Sequence, residues 1–419
     1  VHCTNSSLNW KNDLKKHNID QYRTLLGPDK LDRLWQMSAG LKNAKIIHVN
    51  STKEGGGVAE ILSKIVPLMQ SLGLDAQWHT IQGETDFFQC TKMFHNLLQG
   101  ENSSHPPPSC FQVYEQTNKR NAADLKHVLQ EADFVIIHDP QPLALLSHFP
   151  NRKGKWIWQC HIDLSTPSEW VWPYLKKYID LYDGSIFSMK EFAQKLPHPI
   201  YIIPPGIDPL SEKNIELDSH EIKRTYDRFQ IHDNQARLLQ ISRFDRFKDP
   251  LGVIEAYRLA KTKYPELQLI LAGGGASDDP EGDEILKEVE KSSKGDPDIH
   301  IIVIPPNSPR IINSLQRGAN IILQKSLREG FGLTVSEALW KAKPVIGGNT
   351  GGIRLQLIDG QTGFLVATPQ EAADRIENFL QNPQLGQECG RRGKALVEEK
   401  FLITRQLQDY LTMITDIPK

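Results

Sequence analysis

Short apolar runs alternate with helical patterns along most of this chain, and that alternation leaves few folds open. Parallel strands need crossovers of about a dozen residues, most economically a helix, so the pattern points to parallel sheets covered by helices. In the first half, Lys45-Ile46-Ile47-His48-Val49 reads as a strand that runs into a Gly-rich turn. Val58, Ile61, Leu62, Ile65, Met69 and Leu72 then keep a helical period, with Pro67 expected to kink that helix and Gly73 to end it. Further strands are expected at 76–81, 134–137, 156–160 and 201–203, whereas 83–120 shows little beyond a loop at Pro106-Pro107-Pro108. The second half repeats the scheme, with strands expected at 238–242, 268–272, 300–304, 321–323, 344–347 and 363–366. Leu251, Ile254, Tyr257 and Ala260 mark one of the helices between them.

The fold class expected is therefore α/β, with two doubly wound Rossmann-like domains facing a cleft. Residues 1–205 form the first domain and 206–401 the second, while 402–419 is a helix packing back toward the first. Pro204-Pro205-Gly206-Ile207-Asp208-Pro209 reads as the hinge. A chain of 419 residues has room for two domains of about 200 residues each. A formal net charge of -2 supplies no overall field to recruit nucleic acid or an anionic membrane, so neither is an expected partner. No apolar run approaches the ~18 residues of a membrane helix, and the polar stretch from Val1 to Tyr22 does not resemble a signal peptide.

Five cysteines (Cys3, Cys90, Cys110, Cys160 and Cys389) are odd in number, scattered, and never spaced as C-x-x-C. Neither a disulfide framework nor a zinc site is expected, and a reducing cytoplasm is the expected location. Asn50-Ser51-Thr52 matches a glycosylation site, but at the end of a buried strand it reads as chance.

Three motifs fall at expected strand ends, where doubly wound sheets bind ligands. The first is Ser51-Thr52-Lys53-Glu54-Gly55-Gly56-Gly57. It is either a flexible tight turn or a place where a ligand approaches the backbone and an anion meets a helix N-terminus. The second is Ser242-Arg243-Phe244-Asp245-Arg246-Phe247-Lys248. Arg243 and Lys248 can converge on a diphosphate, one as a planar fork and one as a point charge, although paired cations are also common on solvated surfaces. The third runs from Arg328 through Glu329, Gly330, Phe331, Gly332 and Leu333 to Glu337 and Leu339. A helix beginning near Phe331 or Gly332 holds Glu337 one to two turns inside it and leaves Glu329 in the preceding loop. Such a helix start can hold phosphate while a carboxylate takes sugar hydroxyls, against the plainer reading of a surface loop with two ordinary glutamates.

Arg243 with Lys248, Glu329 with Glu337, and Thr350-Gly351-Gly352 together resemble the retaining glycosyltransferase superfamily of GT-B fold. The likeness is closer to the glycosyltransferring trehalose synthases. It is carried by the stretches around His48 to Ile61, His138-Asp139-Pro140-Gln141-Pro142, Cys160-His161-Ile162-Asp163-Leu164-Ser165 and Ile207 to Asn214. It runs from about residue 20 onward and is weakest near 100–120.

The resemblance implies that Arg243 and Lys248 hold the donor diphosphate and that Glu337 binds the nucleotide ribose. Glu329 and the amides of Phe331, Gly332 and Leu333 would face the donor sugar and phosphates, and His161 would contact the transferred sugar. Asp139 and Asp163 are candidates for acceptor hydroxyls or for simple turn caps, and Gly56 and Gly57 would close over donor phosphates or acceptor. His161, Glu329, Arg243 and Lys248 are the expected catalytic set. Asp278-Asp279, in a Gly-rich stretch, reads as an acidic turn, because this fold needs no carboxylate-bound metal.

The implied reaction is NDP-glucose plus D-glucose giving trehalose plus NDP, with retention and no side-chain nucleophile. The UDP, ADP or GDP form would serve as donor, with no tightly bound cofactor and a divalent cation such as Mg2+ as a stimulant. A homodimer is implied as well. A trehalose phosphorylase, another hexosyltransferase of this fold, and a non-catalytic nucleotide-sugar-binding protein are the alternatives.

Overall fold

A computed structural model describes residues 18–101, 105–232, 235–274, 282–305 and 307–418, which form two compact units. Asp278 and Asp279 lie outside the described residues. One unit comprises 18–206 with 403–418, and the other comprises 207–274 with 282–402.

The first unit is built on a six-stranded parallel sheet of order β2-β1-β3-β4-β5-β6. Its strands are β1 Lys45–Asn50, β2 Asp75–Thr80, β3 Phe134–His138, β4 Lys155–Cys160, β5 Gly184–Phe187 and β6 Ile200–Ile202. In β1, β3 and β4 every residue after the first is buried, as both faces of a parallel sheet under helices require. Strand β5 carries Gly184 and Ser185 and so shows too little apolar sequence to be expected in advance.

Helix α1, Gly56–Ser71, carries Pro67 inside it and buries Ile61, Leu62, Ile65 and Met69. The indistinct stretch 83–120 is largely two helices, α2 Thr85–Leu98 and α3 Pro108–Asp124. Phe94 of α2 meets Tyr114 of α3 edge to face, with ring centroids 5.5 Å apart. Here one expectation fails: Cys90 and Cys110 form a disulfide joining the two helices, with their Cα atoms 5.2 Å apart. The 20-residue separation that hid the pair in the sequence is the length over which the chain turns back on itself. Disulfides persist in oxidising compartments, so the cysteine argument for a reducing cytoplasm falls with it. Cys160 and Cys389 are buried free thiols.

The second unit carries a parallel sheet of order β12-β11-β10-β7-β8-β9. Its strands are β7 Arg237–Ile241, β8 Gln268–Gly273, β9 Ile299–Val303, β10 Ile321–Gln324, β11 Val345–Gly348 and β12 Phe364–Val366. Helix α4, Pro250–Lys261, packs Val253, Tyr257 and Ala260 into a core with Leu238, Leu269 and Leu323. Helix α5, Leu333–Trp340, follows the glycine-spaced turn. Helix α6, Ile403–Asp416, belongs to the first unit, where Leu407, Tyr410 and Leu411 are buried.

Chain direction in the sheet order reverses between β1 and β3 in the first unit and between β7 and β10 in the second. At such a point the crossovers leave on opposite faces, opening a crevice beyond the carboxyl ends of the strands. Gly56 and Gly57 follow β1, Asp139 follows β3, Arg243 and Lys248 follow β7, and Glu329 follows β10.

Candidate active site

In the second unit, β7 delivers Arg243 and Lys248, and β10 delivers Glu329. Asp245, 1% exposed, caps the short turn Arg246–Lys248 by accepting from the Phe247 amide at 2.8 Å. That turn sends the Lys248 ammonium to Glu329, with Nζ 2.6 Å from Oε2. The same oxygen accepts from Ser326 Oγ at 3.1 Å and Gln324 Nε2 at 3.4 Å. Oε1 takes part in none of these three bonds. Arg243 leans on Asp245, Nη2 to Oδ2 at 3.5 Å. A third cation, Lys325, is buried and paired with Asp249, the residue that caps α4. Gln324, Lys325 and Ser326 carry no motif that marks them in the sequence.

The glycine-spaced turn is held from behind. Gln356, fully buried, donates from Nε2 to the carbonyls of Phe331 at 2.6 Å and Gly352 at 3.1 Å, and accepts from Ser336 Oγ at 2.6 Å. Gly332 has φ +84°, and a Cβ there would stand 3.2 Å from Glu329 Cγ, so a side chain would be strained and crowded. Gly352 permits close approach instead: its Cβ would lie 2.4 Å from Phe331 Cα. The turn therefore enters α5 at Leu333 with the first-turn amides of the helix in place.

Glu337 lies inside α5, is fully buried, and pairs with Lys213, Nζ to Oε1 at 2.8 Å. Lys213 precedes Asn214, whose Oδ1 accepts from Lys341 Nζ at 2.9 Å, while Lys341 also donates to the Glu337 carbonyl at 3.1 Å. Burial of Glu337 is thus compensated by a specific cation. Lys213 carried no expected role, because nothing local links it to a glutamate so far along the chain.

In the first unit, Gly55 and Gly56 have φ of 75° and 77° as the chain turns from β1 into α1. Asn50 ends β1 at 3% exposure, accepting from Trp78 Nε1 and donating to the Thr52 carbonyl, both at 2.7 Å, which leaves no room for a glycan. Asp139, with φ +64°, accepts from the His161 amide at 2.8 Å. Asp163 accepts from the Ser165 amide at 3.0 Å and hydroxyl at 2.6 Å. Asp139 thus ties the end of β3 to the end of β4, and Asp163 shapes its own local turn.

His161, just past β4, is joined to His138, and His138 to His48, by contacts of 2.9 and 3.0 Å. Burial lowers the pKa of His48 and of His161 to about 3, aided at His48 by repulsion from His161. Burial and the two neighbouring histidines hold His138 well below 6.5. All three rings are neutral near pH 7. Of the expected site residues, Arg243, Lys248, Glu329, Phe331, Gly332, Leu333 and Glu337 belong to the second unit. Gly56, Gly57, Asp139, His161 and Asp163 belong to the first. Among the described residues no group of three or more His, Cys, Asp or Glu side chains is placed to hold a metal ion.

Residues 48–194 match the family model described as trehalose synthase, N-terminal domain, and residues 222–396 match glycosyl transferases group 1. A trehalose synthase of Thermococcus litoralis is 42% identical over 94% of this chain and 96% of its own length. The chain belongs to the trehalose synthase family. It is a two-domain α/β glycosyltransferase of GT-B fold, related to trehalose metabolism. A trehalose phosphorylase of Pleurotus pulmonarius is 28% identical over 83% of this chain and 54% of its own length. Among solved structures, an α,α-trehalose-phosphate synthase (UDP-forming) of Burkholderia xenovorans, determined with glucose-6-phosphate, is similar in fold. Its TM-score is 0.74 at 14% identity, over 89% of this chain and 100% of that one. The two matches divide the chain between an N-terminal trehalose synthase region and a C-terminal group 1 region. Among the described residues no helix is long and apolar enough to cross a membrane.

Proposed function

We propose that this glycosyltransferase moves a glucosyl group from a nucleoside diphosphate glucose to D-glucose, releasing NDP and forming trehalose with retention at the anomeric carbon. The observation that carries this reading is the Lys248–Glu329 pair beside the N-terminus of α5, at the point where the second sheet reverses. Breaking the anomeric C–O bond leaves charge on the departing diphosphate, and fixed cations with free helix amides are suited to stabilise it.

In this reading Arg243, Lys248 and the amides of Phe331, Gly332 and Leu333 meet the diphosphate. Oε1 of Glu329 faces the donor sugar, and Glu337 takes the ribose hydroxyls. The acceptor hydroxyl attacks from the face that the diphosphate leaves, and the departing phosphate oxygen takes its proton. His161 contacts the transferred sugar, Asp139 and Asp163 flank the acceptor, and Gly56 and Gly57 close over the donor. A homodimer, and stimulation by a divalent cation such as Mg2+ without a tightly bound cofactor, complete the proposal.

Likeness to a trehalose phosphorylase supports a second reading, in which inorganic phosphate and trehalose give glucose 1-phosphate. Incubation with UDP-, ADP- and GDP-glucose and a panel of sugars, with and without Mg2+, separates the two. Release of NDP with a non-reducing disaccharide is expected. Glucose 1-phosphate formed from trehalose and phosphate, without NDP-dependent transfer, would replace the first reading by the second.

A further inference from the structure

His48, His138 and His161 stand on or just past three neighbouring strands in a staggered line. His48 is in register with Ile136, and His138 with Gln159. Each next histidine is therefore two residues nearer the carboxyl end of the sheet, and with side chains alternating, all three share one face. Their rings stack with centroids 5.3 and 5.2 Å apart at interplanar angles of 24° and 19°. His48 Nδ1 lies 3.0 Å from His138 Nε2, and His138 Nδ1 lies 2.9 Å from His161 Nε2. His48 and His138 are 0% and 1% exposed, whereas His161 is only partly buried.

A neutral imidazole has one N–H and one bare nitrogen, so both bonds in such a line must point the same way. If His48 donates to His138 and His138 to His161, then His161 ends the line with Nδ1–H. In the opposite sense His161 donates inward and ends bare at Nδ1, and the last N–H falls on His48 Nε2. That nitrogen is buried with no hydrogen-bond partner, the Tyr410 ring standing edge to face 6.0 Å away. A buried donor without an acceptor is rarer and costlier than a buried bare acceptor.

We infer that His48 and His138 are positioning residues that fix His161 in its Nδ1–H tautomer, so that the site presents a donor to a substrate oxygen. The inference rests on the reading that places His161 against a sugar. The specificity consequence is direct: an oxygen with a lone pair fits opposite Nδ1, and a group that can only donate does not.

The test reads the tautomer without turnover. Whole-chain protein labelled with 15N-histidine is examined by long-range proton–nitrogen NMR near pH 8, with His161→Asn used to assign the ring. A protonated Nδ1 and a bare Nε2 on His161 are expected. A protonated Nε2 overturns the inference, whatever the enzyme catalyses, and the wild-type spectrum suffices even if variants fail to fold. His48→Met, which puts a weak acceptor where the far donor stood, should leave His161 as a mixture of tautomers and lower transfer about 10-fold, the worth of one hydrogen bond. His48→Asn, whose amide can donate from nearly the same place, should restore both. An unchanged His161 tautomer in folded His48→Met would also overturn it. Normal tautomers in a protein with no transferase activity would instead fault the functional reading alone.

Discussion

Lys248 Nζ meets Glu329 Oε2 at 2.6 Å, joining residues 81 apart in sequence at the reversal point of the second sheet. The ammonium has two further protons to offer a diphosphate, and the carboxylate has Oε1 to offer a sugar. Lys248→Ala should lower kcat by about 100- to 1,000-fold, as loss of a donor to developing charge does. Glu329→Ala should depress kcat about 10-fold or more, with a smaller change in donor KM. Steady-state kinetics at saturating acceptor provide the check. A pure rise in KM in both variants would show that the pair binds ground state and transition state alike.

Glu337 should behave differently, because ribose hydroxyls lie far from the bond that breaks. Glu337→Gln keeps the shape in a fully buried place opposite Lys213. Losing a charge-assisted bond of about 1.5–3 kcal/mol should raise donor KM about 10- to 150-fold and leave kcat less changed. Melting curves should accompany the kinetics, since the change leaves the Lys213 charge uncompensated. If kcat collapses while KM holds, the ribose assignment is wrong.

The two fully buried histidines of the first unit give stability a defined pH dependence. His48 is lowered to about 3 and His138 well below 6.5, while in the unfolded chain each titrates near 6.5. Above that value both states are neutral there and no stability is lost. As pH falls from 6.5 toward 3, the unfolded chain binds protons that the folded one refuses, so stability drops. Near pH 5 His48 alone should contribute a slope of about 1.4 kcal/mol per pH unit, and His138 acts in the same direction. Urea melts at several pH values, compared with His48→Phe, should show the share due to His48 removed. Identical slopes would contradict the burial argument.

The Cys90–Cys110 bridge closes a short loop between α2 and α3. Restricting the unfolded chain over that span is worth about 3 kcal/mol in the loop-entropy picture. Reductant, or the double variant Cys90→Ser with Cys110→Ser, should lower the melting temperature of the oxidised protein. Thiol titration in denaturant should find two more thiols after reduction. An equal count before and after reduction would mean that the bridge does not form.

Much of the fold was legible because parallel strands buried on both faces must be apolar runs, as in Ile46-Ile47 or Leu269-Ile270-Leu271. Arg243, Lys248, Glu329 and the glycines around Phe331 were legible because strand-end turns bring their residues together locally. What escaped notice depends on contacts the chain makes far from home. Lys213 answers Glu337, and Gln356 braces the turn from a short helix beyond it. Cys90 finds Cys110 only once α2 and α3 pack. Strand β5 was missed because Gly184 and Ser185 interrupt its apolar character, its burial coming from the neighbours it joins. His48 and His138 were visible as residues, but their line with His161 exists only in the register of three strands.

Helix α6 places Leu407, Tyr410, Leu411 and Ile414 in the interior of the unit formed by residues 18–206. Tyr410 donates to Gln159 on β4, and Gln406 accepts from the Gly206 amide at 2.9 Å. During synthesis the first unit therefore emerges long before its closing piece. The intervening unit, residues 207–402, must be translated in between. At about 5–20 residues per second that interval is roughly 10–40 s. Throughout it, the apolar seat of α6 stays open on a nascent chain, so the second unit is the one able to finish folding first, and the newborn first unit is where a chaperone would bind.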